Sequence, residues 1–149
     1  MTAIVEEYEV LSLSLRARQV PPTAELRRWI RTHLPGLGDD VGYDLQLICT
    51  ELIANAYEHG SMPGQVRIEV AGPNLIRVEV DDSSRRMPVT RRRTDSIRGR
   101  GLQMVAQLAA RWGVRRTTTG KTVWAEVYPG SADPVGERRN GADHLHAVE

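Results

Sequence analysis

The stretch Thr50-Glu-Leu-Ile-Ala-Asn-Ala-Tyr-Glu-His-Gly60 carries most of the information about fold and function in this 149-residue chain. It completes residues 41–59, whose spacing of apolar positions predicts a helix that the glycine ends. Glu51 and Asn55 lie one turn apart on one face of that helix, among apolar neighbours. We therefore expect at least one of these two polar side chains to lie near the core.

The pair Glu51 and Asn55 needs a partner if it is buried. Asparagine is a poor helix former, and a buried carboxylate is costly when nothing satisfies it. A bound Mg²⁺ would remove both objections, because it prefers oxygen ligands: the Asn55 amide oxygen would bind it and Glu51 would act as a base beside it. The alternative is an ordinary amphipathic helix in which both side chains face solvent.

The rest of the chain predicts the element order β-α-α-β-β-loop-α-β-β. The predicted strands cover residues 8–15, 65–71, 75–80, 114–118 and 121–128, and the helices cover residues 24–34, 41–59 and 99–112. Strands joined by short turns pair antiparallel, so the prediction is an α+β two-layer sandwich with three helices on one face. We expect residues 1–129 to form the domain and the polar residues 130–149 to form a flexible tail.

Composition favours a globular cytoplasmic protein. Hydrophobic residues make up 40% of the chain and charged residues 26%, and a formal net charge of +1 gives no overall attraction to nucleic acid. The single cysteine, Cys49, excludes an internal disulfide framework. The sequence has no apolar run of the roughly 18–20 residues that span a bilayer, and its first residues lack a signal-peptide pattern. We expect no membrane partner.

Two acidic residues end the second strand of the predicted hairpin. Because Val78 and Val80 face the core, alternation places Asp82 on the core face and Asp81 on the opposite face. A carboxylate at the rim of the core is suited to accept a hydrogen bond from an exocyclic amine. The alternative is that Asp-Asp-Ser-Ser only initiates a turn.

The segment Gly99-Arg-Gly-Leu102 opens the third predicted helix. Two glycines at a helix start let a ligand approach the backbone, and the free N–H groups there favour phosphate. Residues 85–100 contain seven arginines and one acid, Asp95, which adds local positive charge. The alternative is a solvated basic loop; a nucleic-acid reader is disfavoured, since no aromatic residue lies among these arginines.

The segment Gly120-Lys-Thr122 resembles the end of a phosphate-binding P-loop. That motif needs a glycine five residues before Gly120, and this position is Arg115. The segment also lies between two predicted strands instead of between a strand and a helix. We therefore reject a P-loop here.

Taken in order, these segments resemble the GHKL superfamily of ATP-binding domains (the Bergerat fold), and in particular its bacterial anti-sigma-factor serine kinases. The resemblance covers about residues 8–128. The stretch 50–60 is similar to the family's N box, residues 99–105 to its second glycine box, and residues 120–124 to its closing strand.

The resemblance implies roles for individual residues. Glu51 would be the general base, and Asn55 would bind the Mg²⁺ that bridges the nucleotide phosphates. Asp82 would read the amino group of adenine, with Thr122 beside it. The phosphate-binding segment would comprise Gly99, Arg100, Gly101 and Leu102.

The resemblance also implies an activity: an ATP- and Mg²⁺-dependent protein serine/threonine kinase that phosphorylates a small anti-sigma-factor antagonist and sequesters a sigma factor, as a homodimer. One motif departs from the family. The first glycine box, usually Asp-x-Gly-x-Gly, is Asp82-Ser-Ser-Arg-Arg86, which replaces flexible glycines by residues with a Cβ. This departure motivates a second hypothesis, a binding module that keeps the fold and regulates a partner with little or no kinase turnover.

Overall fold

Three helices and six strands make up the part of the chain that the computed structural model describes, namely residues 10–59, 63–70, 75–84, 100–129 and 145–148. The order up to β5 confirms the predicted element order. The elements are β1 (Val10–Ser14), α1 (Thr23–His33), α2 (Asp39–His59), β2 (Pro63–Val70), β3 (Ile76–Asp82), α3 (Arg100–Leu108), β4 (Arg111–Thr117), β5 (Gly120–Val127) and β6 (Leu145–Val148). A short 3-10 turn, Pro35–Leu37, separates α1 from α2.

The strands form a single sheet in the order β1-β2-β3-β5-β4-β6. Neighbours from β1 to β4 pair antiparallel, as the hairpin signals predict. β6 pairs parallel with β4 at the edge of the sheet and is not among the predicted elements. The prediction of a flexible tail falls mostly on residues 130–144, which lie outside the described residues.

The core lies between the sheet and the helices, as the α+β two-layer prediction requires. Alternate residues of β3 are buried (Ile76, Val78 and Val80), and α2 contacts β2, β3, β5 and α3. Each aliphatic side chain buried in this layer contributes on the order of 1.5–3 kcal/mol. Because α2 lies across the centre of the sheet, the segment 50–59 runs close to the strands that carry the other candidate residues.

The boundary between α3 and β4 differs from its prediction. The helix ends at Leu108 and β4 begins at Arg111, whereas the sequence predicts a helix over residues 99–112. Trp112 pairs with Ala125, and both are buried. Pairing with β5 in the hairpin satisfies the backbone of residues 111–113, and these contacts between strands outweigh the helical spacing of the apolar residues.

Candidate functional site

Asn55 and Glu51 occupy the side of α2 that borders the core. Asn55 is buried, with 9% of its surface exposed, and Glu51 is half-buried. Their neighbours Leu52, Ile53 and Ala56 are almost completely buried. The expectation that at least one polar residue of this pair lies near the core is confirmed, and the alternative in which both face solvent is wrong.

The environment of Glu51 suits a base. Burial raises the pKa of its carboxyl above the ordinary value of 4.5, and the negative charge of Glu58 raises it further. A general base works best when its pKa approaches the working pH. The position of Glu51 therefore raises its pKa toward the neutral pH at which a base would act.

The donors on α2 fit Mg²⁺ only in combination with a ligand. Among the residues that the structure describes, there is no cluster of three or more His, Cys, Asp or Glu side chains that could hold a metal by itself. Mg²⁺ usually keeps one or two protein ligands and takes its other oxygens from water and nucleotide phosphates. An amide oxygen from Asn55 agrees with that donor set, and its role as a ligand stays a prediction.

The consecutive residues Asp81 and Asp82 lie on opposite faces of the sheet. Asp82 is 5% exposed and shares the helix-facing side with Val78 and Val80. The Asp81 side chain is 34% exposed and faces the other way. The assignment of the two faces from strand alternation is confirmed.

Asp82 forms a buried ion pair with Lys121. The two residues are directly opposite each other on β3 and β5, and the Lys121 ammonium Nζ lies 2.8 Å from Asp82 Oδ1. Nζ also donates to the Ser84 carbonyl oxygen at 3.2 Å, and the Ser84 backbone N–H donates to Asp82 Oδ1 at 2.8 Å. Lys121 is 1% exposed. The second oxygen, Asp82 Oδ2, is buried and has no hydrogen-bond partner among the residues that the structure describes.

Thr122 is not the residue opposite Asp82 in the ladder between β3 and β5. It pairs with Asp81 across the β3–β5 ladder, and its hydroxyl donates to Asp81 Oδ1 at 2.7 Å. Successive residues of a strand point to opposite faces, so the residue directly opposite Asp82 on the helix-facing side is Lys121. Any contact of Thr122 with a nucleotide stays a prediction.

Lys121 is not among the site residues predicted from the sequence. One signal could have found it: Lys121 alternates with Val123 and Ala125, which places all three on the helix-facing side of β5. It is also the only lysine among the 20 basic residues. Its partner depends on the register between β3 and β5, which the local pattern does not contain.

Gly120 brings the start of β5 against the end of β3. A Cβ at this position would overlap the Asp82 carbonyl oxygen and would lie 2.6 Å from Ser83 Cα. Both atoms belong to the backbone and cannot rotate away. The glycine is therefore required for the close approach that seats Lys121 against Asp82.

The outer face of the sheet carries a half-exposed ionic network around Asp81. The Arg67 guanidinium donates to both oxygens of Asp81, at 2.8 and 2.7 Å, and contacts Glu79 at 3.2 Å. Arg115 contacts Glu79 at 3.4 Å. Burial acts to raise the pKa of Asp81, but the hydrogen bonds from Arg67 and Thr122, with the charges of Arg67 and Arg115, outweigh it and lower the pKa.

A cavity of about 1320 Å³ opens beside the ends of β3 and β5. Asp81, Asp82, Lys121 and Thr122 lie along it, together with four arginines: Arg16, Arg18, Arg67 and Arg115. Glu51 and Asn55 are not among the described residues that line it. The structure thus brings Asp82 together with Lys121, and the convergence of Asn55 and Asp82 on one nucleotide stays a prediction.

The predicted phosphate-binding segment is described only in part. Gly99 and the arginine-rich residues 85–99 lie outside the described residues. Arg100 begins α3, and Gly101 follows it in the first turn. Leu102 is 5% exposed and belongs to the core, so its side chain supports the helix, and only its backbone could contact a phosphate.

The comparisons with known proteins agree with this architecture. Within the part of the chain that the structure describes, none of the helices combines the length and apolar character that crossing a membrane requires. A comparison with curated proteins gave no significant match. A family model described as a histidine kinase-like ATPase domain matches residues 14–127. Since this match spans more than half of the 149 residues, the chain belongs to the histidine kinase-like ATPase domain family, whose GHKL fold agrees with the observed α+β sandwich.

Proposed function

We propose that this protein is an ATP-dependent serine/threonine kinase that phosphorylates a small anti-sigma-factor antagonist and sequesters a sigma factor. The observation that carries the kinase activity is Glu51, a half-buried carboxyl one helical turn from the buried Asn55, in a domain of an ATP-binding family. The motifs at residues 50–60 and 99–105 support the choice of partners through their resemblance to anti-sigma-factor kinases. We place the protein in the cytoplasm, as a homodimer.

In this reaction, Glu51 takes the proton of the serine or threonine hydroxyl on the antagonist. The hydroxyl oxygen attacks the γ-phosphorus of ATP, the bond from that phosphorus to the bridging oxygen breaks, and ADP leaves with the bonding electron pair. Asn55 would hold Mg²⁺, which supplies positive charge to the phosphate oxygens. The raised pKa of Glu51 favours proton transfer from a weakly acidic hydroxyl.

The decisive experiment separates nucleotide binding from phosphoryl transfer. In a thermal-shift assay with ATP and Mg²⁺, the wild type should be stabilised by roughly 2.7 kcal/mol at a ligand concentration 100 times Kd. Asn55→Ala should lose most of this stabilisation. Glu51→Gln should keep it but lose at least about 100-fold in phosphate transfer to a recombinant antagonist.

Gln107→Ala is the matched control, because Gln107 is an exposed amide on α3. It should bind ATP and transfer phosphate as the wild type does. Stabilisation of Asn55→Ala by ATP and Mg²⁺ to the wild-type extent would reject the site assignment.

One observation favours the second function, a binding module without kinase turnover. Lys121 already occupies one oxygen of the carboxylate that is predicted to read adenine. If the ion pair fills the base site, the domain would hold its partner without ATP. A sigma-factor complex of unchanged affinity with and without ATP would support this function, whereas rapid phosphorylation of the antagonist would exclude it.

A further inference from the structure

Lys121 is an exception in the charge composition of the chain. Arginine supplies every other basic position, including the exposed ones, and the only lysine is almost completely buried. A guanidinium is a planar fork with five donors, whereas an ammonium is a compact charge with three donors. The buried position therefore holds the cation that can direct single hydrogen bonds in three directions.

The hydrogen bonds of the ion pair leave one donor and one acceptor unused. Nζ donates to Asp82 Oδ1 and to the Ser84 carbonyl oxygen, and the structure shows no acceptor for its third hydrogen among the described residues. Asp82 Oδ1 accepts from both Lys121 and the Ser84 N–H, whereas Asp82 Oδ2 is buried and finds no donor within the described part of the chain. An unsatisfied buried acceptor costs free energy, which a ligand that donates to it would recover.

We propose that Lys121 is a further residue that reads the nucleobase: it donates to the ring nitrogen N1 of adenine, beside the contact of Asp82 Oδ2 with the exocyclic amine that the family resemblance implies. This inference rests on the proposed nucleotide-binding function. Adenine carries a donor and an acceptor side by side on this edge, which complements the acceptor and donor of the pair. Specificity for ATP then depends on two side chains from two strands.

Charge makes the Lys121 contact strong. A hydrogen bond from an ammonium is worth more than one from a neutral hydroxyl, and the low-dielectric surroundings strengthen it. Asp82 at the same time neutralises the ammonium, so that the site carries no net charge when the base enters. The opposite reading is that the ion pair only fills the space that a base would take, and the experiment distinguishes the two.

The first test uses the wild-type protein and nucleotide analogues in titration calorimetry with Mg²⁺. 1-Deaza-ATP, in which a C–H replaces N1, should bind about 10- to 100-fold more weakly than ATP. Purine riboside triphosphate, which lacks the amine, should be weakened similarly. Equal affinities for ATP and 1-deaza-ATP, or tighter binding of GTP than of ATP, would overturn the proposal.

The single lysine gives a second readout that needs no catalysis. In protein labelled with ¹⁵N at the lysine ε-nitrogen, the chain should give one ammonium resonance. Saturating ATP should shift this resonance, and saturating 1-deaza-ATP should shift it much less. A resonance that ATP leaves unchanged would overturn the proposal.

Variants distinguish an ion pair that recognises adenine from one that blocks the adenine site. Removing Lys121 alone leaves a buried carboxylate unpaired, so the double variant Lys121→Met/Asp82→Asn keeps the site neutral, with its folding checked by circular dichroism. It should lose the preference for ATP over 1-deaza-ATP, while Arg116→Met, an exposed control, should keep it. An increased affinity of the double variant for ATP would show that the ion pair obstructs the site. Absence of ATP binding to the wild type would instead reject the proposed function itself.

Discussion

Asp81 and Asp82 are adjacent in the chain, yet the sheet separates two very different electrostatic environments. Asp82 lies on the helix-facing side with one dedicated cation, Lys121, at 2.8 Å and almost no exposure. Asp81 lies on the outer side, about one-third exposed, and shares Arg67 with Glu79. Burying an ion pair costs the desolvation free energy of both charges, and only their mutual attraction offsets this cost, so removing one partner is strongly destabilising. A half-exposed carboxylate can instead exchange its partner for water.

The largest effect should come from breaking the buried pair on one side only. Lys121→Met should destabilise the protein by about 3–5 kcal/mol, because it leaves the Asp82 charge buried without a cation. Asp82→Leu/Lys121→Met should recover most of this loss, since it removes both charges. Urea denaturation followed by tryptophan fluorescence gives the free energies of unfolding.

The double variant is the critical arm of this measurement. If the double variant loses as much free energy of unfolding as Lys121→Met and Asp82→Leu lose together, the two residues do not stabilise each other. The difference proposed between the two faces of the sheet would then be wrong. A cost below about 1 kcal/mol for Lys121→Met would also contradict it, because exposed ion pairs have values of that size.

A smaller effect should follow from separating the strands that hold the pair. Gly120→Ala should destabilise the protein by about 1–3 kcal/mol, because its Cβ would overlap the backbone of Asp82 and Ser83. Gly42→Ala is the matched control: no atom of the described residues lies within 4 Å of its added Cβ, and it should stabilise α2 by about 0.4–1 kcal/mol. Equal thermal-unfolding midpoints for the two variants would show that the β3–β5 approach can relax.

The smallest effect should come from the outer face. Asp81→Asn should cost about 1 kcal/mol at neutral pH, because solvent and Glu79 can take over part of the bonding of Arg67. Since the pKa of Asp81 is lowered below its ordinary value of 3.8, the stabilising contribution of this carboxylate is complete above that value and is lost as the pH falls through the lower folded-state pKa.

Denaturation of the wild type and Asp81→Asn from pH 7 down to pH 2 tests this sign. The difference in stability between the two proteins should shrink below pH 3.8, and it should also shrink in 1 M salt at neutral pH. A difference that grows on acidification would mean that Asp81 is stabilised in its protonated form. The cost of Lys121→Met, in contrast, should be almost independent of salt.

The sequence predicted the element order, the fold class and the environment of Asn55. These features depend on the spacing of apolar residues within each helix or strand, and that spacing does not depend on which other element it packs against. The prediction failed at the junction of α3 and β4, where pairing of Trp112 with Ala125 decides the structure, and it did not include β6, whose partner β4 lies about 30 residues earlier in the chain. The first difference comes from a hairpin that extends further than its strand pattern indicates, and the second comes from a contact between distant segments.

The same division holds at the end of β3. By itself, the sequence determined that Asp82 faces the core and Asp81 does not, because side chains alternate along any strand. Only the tertiary structure decided that Asp82 meets Lys121 while Thr122 meets Asp81. The physical reason is that a shift of one residue in the pairing of β3 with β5 would give each residue a different partner on the opposite strand. This register is set by packing between strands that are distant in the chain.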